Sequence, residues 1–389
     1  MTPKLIHGEL VIISQAPAHV RNWGPWQFPI IQRLPDNRLQ VKFHLGRDSA
    51  KDYGTQPGSS FSADNGKIWS RMAPVATSSQ ARIFQLPNGD QLQQIQLTSL
   101  PVENIKHLLP QTAGESKNTY TDDIITFYET ESLPEELHGW QFSRLKAGSR
   151  EWQNETAQVN IPGEVCWSIE NVFARSYFRR IRQAPDGSLW GVHYARRIVN
   201  GKLRPHLAAA FLRSPDNGHT FEWISEIPYQ PIPTADALWQ QRQGFTEPDL
   251  AFLPDGSLYC LMRTTDGHGT GPSYCARSVD GGRTWSQPAI FDDLGVLPTL
   301  LTLKCGVTLA AYGRPGLYLR ATAAPDASAW NRRITLVEPD PRQHMTCAYS
   351  DMIELDNNSA LIVYSDFNVP DQQGNPCKTI LVRKITVAA

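Results

Sequence analysis

Six times along this chain an apolar residue is followed by a short turn signal and then by an alternating or apolar run. The blocks are LPDNRLQVKF from Leu34, LPNGDQLQQI from Leu86, APDGSLWGVH from Ala184, LPDGSLYCLM from Leu253, LKCGVTLAAY from Leu303 and LDNNSALIVY from Leu355. An apolar run also precedes most of them (FPIIQR, ARIFQ, DLAF, TLLT, DMIE). Two apolar runs joined through Asp-Gly or Asn-Gly form a β-hairpin. Successive blocks lie 52, 98, 69, 50 and 52 residues apart. Repeats of that size, with room for about four strands each, are the signature of a β-propeller. The expectation is an all-β chain, a six-bladed propeller of four-stranded antiparallel blades.

A second repeat runs in phase with the first. SADNGKIW (Ser62 to Trp69), SPDNGHTF (Ser214 to Phe221) and SVDGGRTW (Ser278 to Trp285) share the pattern S-x-D-x-G-x-x-aromatic. Each follows its own hairpin block by about 28 residues. The residue types describe a strand-connecting turn: Gly takes the left-handed position, Ser and Asp bond local backbone, and the aromatic packs beneath. The stretch around Asp326 and Trp330 is a decayed copy.

The repeats extend from about residue 26 to 385 of 389, so a single domain spanning 1–389 is expected rather than two of average size. Its blades are placed at about 23–72, 80–170 with an insertion, 171–225, 245–290, 296–335 and 345–385. Strands at 4–14 and 379–387 are expected to complete one blade together and so remove a sheet edge. Lys plus Arg number 37 and Asp plus Glu 38. That balance gives no global field for nucleic acid or an anionic membrane, and any anion site must be a local grouping of arginines. The six cysteines show no CxxC pairing and no His at metal spacing, so buried thiols are the simpler reading and no metal or cofactor is implied. The first residues, MTPKLIHGELVIIS, lack the basic segment and long apolar run of a leader or span, so a cytoplasmic location is the expectation.

The phase of the repeat locates a candidate site. Counting from the first residue of each block, residues near −6 and +10 face one another at the open end of one hairpin. In a propeller those ends surround one mouth of the central channel. The positions hold Phe28 and His44, Gln80 and Gln96, Phe178 and Tyr194, Glu247 and Arg263, Leu297 and Gly313 (with Arg314 next), and Tyr349 and Ser365. Glu247, Arg263, Arg314, Tyr349 and His44 are thus expected to converge, and a concave mouth with convergent polar groups is the natural place for a site. Glu247 opposite Arg263 also fits a plain cross-strand ion pair, Arg-Pro-Gly at 314–316 a plain turn, and Tyr349 a core aromatic. Two arginines can hold a carboxylate by charge-assisted, bidentate bonds. A tyrosine hydroxyl, with an ordinary pKa of about 10, becomes a nucleophile beside a glutamate acting as base.

The S-x-D-x-G-x-x-aromatic turns resemble the Asp box of the sialidase superfamily. Phe245-Thr-Glu-Pro-Asp-Leu followed by LPDGSLYCLMRT resembles that family's glutamate-bearing strand and the hairpin ending in a triad arginine. GVTLAAYGRPG resembles the strand of the last triad arginine, and CAYSDMIEL the nucleophile strand. The resemblance covers nearly the whole chain. It implies a base role for Glu247, a nucleophile role for Tyr349, and carboxylate binding by Arg263 and Arg314. Where sialidases open with Arg-Ile-Pro, this chain has Gln27-Phe28-Pro29, so Gln27 stands in place of the first triad arginine, and Arg47, Arg179 or Arg180 is a candidate substitute. Of HLGRDSAKDYG, Asp52 is the first choice for the family's acid/base aspartate and Asp48 the second, with His44 able to share proton transfer. Tyr194 is placed at the same mouth.

The resulting expectation is an exo-acting, retaining glycoside hydrolase releasing a terminal sialic acid or related acidic sugar. A neutral tyrosine nucleophile suits such a sugar because it avoids repulsion between two carboxylates. The alternatives are a glycan-processing enzyme on the same fold with a different sugar specificity or with inverting or lyase chemistry, and a non-catalytic glycan-binding propeller. The expected partner is a carbohydrate.

Overall fold

A computed structural model describes residues 3–75, 81–119, 121–264, 271–339 and 347–388, with the side chains of residues 347 and 348 excepted. Gln80 of the mouth positions lies outside the described residues. Nearly all regular structure is β. Each of the six repeat blocks forms the turn of an antiparallel hairpin. Five of these turns place one residue in the left-handed region, Asn37, Gly89, Gly187, Gly256 and Gly306, with φ between 71° and 88°. Asn and Gly are the residues that tolerate it.

Each hairpin begins a sheet, and we number the sheets by their hairpins. Sheet 1 is Ile30–Arg33, Leu39–Phe43, Gly58–Ser62 and Ala73–Pro74; sheet 4 is Phe245–Phe252, Leu258–Thr264, Ser273–Ser278 and Ala289–Asp292. Sheet 5 is Val296–Thr302, Thr308–Gly313, Leu317–Thr322 and Ile334–Val337. All three are antiparallel meanders in chain order. Sheet 6 runs Cys347–Asp356, Ser359–Pro370 and Pro376–Ala388, and its fourth strand is Lys4–Gln15 from the other end of the chain, in register Leu5 to Val387 and Val11 to Val382. Sheet 3 is Arg180–Gln183, Leu189–Ala195, Ala208–Ser214 and Thr220–Ile227, with Gln158–Asn160 added in parallel.

The long interval after the second block has a structural cause. Sheet 2 pairs Ile83–Gln85 and Gln91–Ile95 with Gln141–Leu145 and Trp152–Thr156, far along the chain. The residues between and after them build a separate five-stranded sheet, in the order Leu100–Pro101, Val172–Ala174, Val165–Ile169, Ile124–Glu129, Gly114–Lys117. That order is not a meander in chain sequence, so this inserted sheet lies outside the repeat. It has its own core of Ile105, Tyr128, Leu133, Leu137, Cys166 and Phe173.

The S-x-D-x-G turns lock neighbouring sheets together. In each, the Ser hydroxyl oxygen accepts from the Gly amide, at 2.9, 2.9 and 2.8 Å for Ser62, Ser214 and Ser278. The Asp carboxylate accepts from Ile68, Thr220 and Thr284 amides, all at 2.9 Å. Gly66 is held at φ 89° with Leu361 of sheet 6 against it, so that an added Cβ would lie 2.6 Å from a Leu361 methyl. The same close approach brings Gly218 onto Leu92 of sheet 2 and Gly282 onto Trp190 of sheet 3. The stretch at Asp326 has Ala324 in the serine position, and its carboxylate accepts from the Ser328 amide, two residues on rather than four.

Candidate active site

The first strands of sheets 4, 5, 6 and 1 lie next to one another, and each breaks its ladder at the −6 position. Phe28, Glu247, Leu297 and Tyr349 have φ of 55°, 47°, 41° and 55°, and register shifts fall at 246–249, 296–299 and 348–350. A bulge re-aims the side chain it carries. In three of the four the next residue is proline (Pro29, Pro248, Pro298), which has no N–H to leave unpaired at the break.

The bulges bring Glu247 and Tyr349, 102 residues apart, into contact. The Tyr349 hydroxyl donates to Glu247 Oε1 at 3.4 Å, and both side chains are buried. Arg263 Nη1 lies 3.0 Å from Glu247 Oε2, and the Leu297 amide donates to the same oxygen at 2.9 Å. Burial pushes the Glu247 carboxyl up, but Arg263, Arg179 and Arg314 outweigh it and hold it below the usual carboxylate range. Burial, with the Glu247 charge, raises the Tyr349 hydroxyl well above its ordinary value, against the opposing arginines. The pair at neutral pH is therefore a charged carboxylate facing a neutral phenol, a base already poised beside its proton donor.

The Tyr349 ring is wedged by Phe28, with centroids 4.4 Å apart, and by Trp23 at 6.3 Å. Arg314, buried, stands over the Trp23 ring at 4.8 Å and over Tyr349 at 5.7 Å. Its Nε has no hydrogen-bond partner among the described residues. Arg179, next to Phe178 of the mouth positions, lines the same space and also has an unpartnered Nε. Burial opposes its charge, but Glu247 and the tyrosines Tyr194, Tyr177 and Tyr349 raise it on balance. Burial likewise keeps Tyr194 neutral and holds His193 neutral, lowered to about 4.

Two adjoining cavities share these groups. One, of about 300 Å³, runs down the axis and is lined by Phe28, His44, Tyr194, Glu247 and Tyr349 among others. The other, of about 710 Å³, opens outward between Tyr349 and the inserted sheet. Asp48 lines both; Asp52 lines neither, because Ala50–Asp52 forms a helical turn that carries its side chain away. Asp48 is solvent-exposed along the cavity wall; the surrounding walls raise its carboxyl, while the Trp23 indole, donating to Oδ2 at 2.7 Å, and Arg179 lower it, and the net shift is upward. Gly24 makes this contact possible: at φ 113° its Cα abuts the Arg47–Asp48 backbone, leaving no room for a Cβ. His44 lies in the axial cavity with its ring 4.8 Å from Phe28.

Gln27 and Arg47 are not brought to the site. Gln27 is fully buried, and its Oε1 accepts from Lys378 Nζ at 2.9 Å and from the Gly24 amide. Arg47 is exposed and lines neither cavity. Arg180 belongs to a buried ion network at the floor of the axial cavity, in which Arg82, Arg180, Asp249 and Asp351 each stand four residues before their block and Arg182 two: Arg180 Nη1 lies 3.3 Å from Asp351, Arg82 Nη2 2.5 Å from Asp351, and Arg182 pairs with Asp249. Among the described residues no group of three or more His, Cys, Asp or Glu side chains is placed to hold a metal ion.

No family model matches the chain, and no curated protein matches it in sequence. Solved structures do match. A protein of unknown function from Dyadobacter fermentans is 20% identical with a TM-score of 0.68, covering 99% of both chains. The NanB sialidase of Streptococcus pneumoniae is 14% identical with a TM-score of 0.53, over 97% of this chain and 70% of that one. An α-L-arabinanase of Penicillium chrysogenum is 12% identical with a TM-score of 0.50, over 98% of each. The chain is thus all-β with a fold like that of propeller glycosidases, sialidases and arabinanases alike.

Proposed function

We propose that the protein is an exo-acting retaining glycosidase for a terminal acidic sugar, with sialic acid the leading candidate, built on a single six-bladed propeller whose S-x-D-x-G turns are Asp boxes. The observation that carries this reading is the Tyr349 hydroxyl against the charged Glu247 carboxylate, ringed by Arg179, Arg263 and Arg314. In the proposed reaction Tyr349 Oη attacks the anomeric carbon as its proton passes to Glu247. Asp48 protonates the departing glycosidic oxygen. The Asp48 carboxylate then takes a proton from water, whose oxygen attacks the same carbon, and Tyr349 leaves with the proton returned by Glu247. Arg314 and Arg179, whose Nε groups have no hydrogen-bond partner among the described residues, are the groups offered to the sugar carboxylate; Arg263 divides its charge between Glu247 and the substrate.

Hydrolysis of 4-methylumbelliferyl sialic acid by the wild type and by Tyr349→Phe tests the proposal. Turnover abolished by the substitution supports it. Folded wild-type protein with no turnover would overturn it. A second reading draws on Gln27, which leaves the first arginine position without a charge, and on the likeness to an arabinanase. There Asp48 and Glu247 act as acid and base on a neutral sugar, and turnover of an aryl arabinofuranoside in place of the sialoside selects it.

A further inference from the structure

The outer cavity has a wall that the chemistry at Tyr349 does not use. Strands Ile124–Glu129 and Val165–Ile169 of the inserted sheet present alternate residues to it: Ile125 and Phe127, then Val165, Trp167 and Ile169. Alternation puts these on one face. The other face, through Tyr128, Cys166 and Phe173, is already filled by the sheet's own core. The cavity face is therefore an apolar surface not needed to fold the insertion. Trp167 lies edge-on to Tyr53 at 6.4 Å, and Tyr53 to Tyr177 at 6.2 Å, so aromatic rings lead from the insertion towards the reacting centre.

The same wall is positively charged. Arg196 lies over the Phe127 ring at 5.2 Å, and Arg175 donates from Nη2 to the Thr98 carbonyl at 2.7 Å. Neither forms an ion pair among the described residues, and the Arg175 Nε is buried without a partner. Of the carboxylates that line this cavity, Glu247 pairs with Arg263, Asp48 accepts from the Trp23 indole, and Glu170 faces Lys51 at 3.5 Å. Apolar and aromatic faces with unneutralised guanidinium groups suit a ring that carries an acid: the ring packs on the aromatics and the carboxylate meets the arginines. At about 710 Å³ beside an axial cavity of about 300 Å³, the space exceeds what one sugar fills, pockets of such size enclosing ligands several rings long.

We propose that the inserted sheet forms an outer subsite for a second acidic sugar, the one on the leaving-group side of the cleaved bond. This rests on the glycosidase reading of the Tyr349 centre. The substrate is then an oligosaccharide with acidic sugars on both sides of that bond. Two ligands with the same terminal sugar and different second sugars test it: disialic acid, acidic at the second position, and sialyllactose, neutral there. Both are titrated calorimetrically into the full-length Tyr349→Phe protein, which holds them uncleaved. Disialic acid is expected to bind about tenfold more tightly, the gain of one charge-assisted pair. Adding Arg196→Ala together with Arg175→Ala should remove that difference while sialyllactose binding stays within about twofold, and Trp167→Ala should weaken both ligands. Equal affinities, or a difference that survives loss of both arginines, would overturn the subsite while wild-type turnover of the aryl sialoside leaves the underlying reading standing. Absence of binding together with absence of wild-type turnover would remove both.

Discussion

Asp351 joins the repeat to the stability of the whole molecule, and replacing it with asparagine tests how the axis is held. The carboxylate is buried and accepts from the Ile31 amide at 3.0 Å, from Arg82 at 2.5 Å and from Arg180 at 3.3 Å. It thereby ties sheet 6 to sheets 1, 2 and 3. An asparagine keeps the shape, but one of its two terminal atoms becomes a donor facing donors, and Arg82 loses its only carboxylate among the described residues. Arg180 still has Thr299 at 2.9 Å and Asp249 at 3.8 Å. Removing one member of a buried ion pair costs about 3–5 kcal/mol. The Arg82 side chain is 24% exposed, so water relieves part of its loss, and we expect the lower end, about 3 kcal/mol. Burial pushes Asp351 up, yet Arg82 and Arg180 hold its folded-state value below the ordinary carboxylate range. Its stabilisation is then present above the unfolded value of about 3.9 and is lost as pH falls through the lower folded value. Urea unfolding followed by fluorescence and circular dichroism should show the full deficit at pH 7 and a narrowing one in strong acid. The control is Asp356→Asn, whose pair with Lys384 at 3.6 Å is about half exposed, for which less than about 1 kcal/mol is expected. A deficit for Asp351→Asn no larger than the control's, or one independent of pH, would refute the idea that this network holds the axis.

Three further predictions concern the acid, the pH profile and the first arginine position. Asp48→Asn should lower turnover of sialyllactose by about 10²–10⁴-fold, the usual worth of a positioned acid, with a smaller loss on the aryl sialoside, whose leaving group needs less protonation. Asp52→Asn should change either by less than about threefold. On the proposed mechanism the same groups should give kcat/KM a bell-shaped pH profile: Glu247, with its lowered pKa, is the group to be ionised on the acid limb, and Asp48, with its raised pKa, the group to be protonated on the alkaline limb. Asp48→Asn should abolish the alkaline limb, and a limb that persists assigns it to another group. Gln27→Arg, which restores the residue type of the resembled motif, should not improve substrate binding. It should destabilise the fold by several kcal/mol in thermal or urea unfolding, because it buries a second cation against Lys378 Nζ, 2.9 Å from the present Gln27 oxygen.

The hairpins were legible because turn chemistry is local: Asn37, Gly89, Gly187, Gly256 and Gly306 announce left-handed positions without reference to the rest of the chain. Phase then carried Glu247, Arg263, Arg314 and Tyr349 to one place. The ion network shares that phase, since Arg82, Arg180, Asp249, Thr299 and Asp351 each precede their block by four residues, and two arginines followed by two aspartates at one phase are the signal that would have found it. What spacing alone could not reveal was non-local. The pairing of Ile124–Glu129 with Val165–Ile169 spans a stretch that belongs to sheet 2, so no local pattern discloses the inserted sheet. Asp48 and Asp52 are four residues apart, and the helical turn at Ala50–Asp52 decides between them. Gln27 reads as a mouth residue by its neighbours, yet the positive φ of Phe28 beside it sends the two side chains to different environments.

That backbone feature explains how a repeating sheet comes to gather unlike side chains at one point. A regular strand at −6 would point its side chain along the pleat, and its ladder would continue. Each left-handed non-glycine residue there costs on the order of 1–3 kcal/mol. Glycine would avoid the cost but supply no side chain. Phe28, Glu247, Leu297 and Tyr349 instead contribute a packing ring, a carboxylate, a packing side chain and a phenol at one point. The bulges also support one another, because the Leu297 amide, freed from its own ladder, donates to the Glu247 carboxylate at 2.9 Å, and the Ser350 carbonyl beside Tyr349 accepts from Thr299 at 2.9 Å. A group released by one break satisfies the next, so the strain at each sheet is offset by its neighbour. The position of Glu247 against Tyr349 is therefore a property of three adjoining sheets rather than of either residue's own strand.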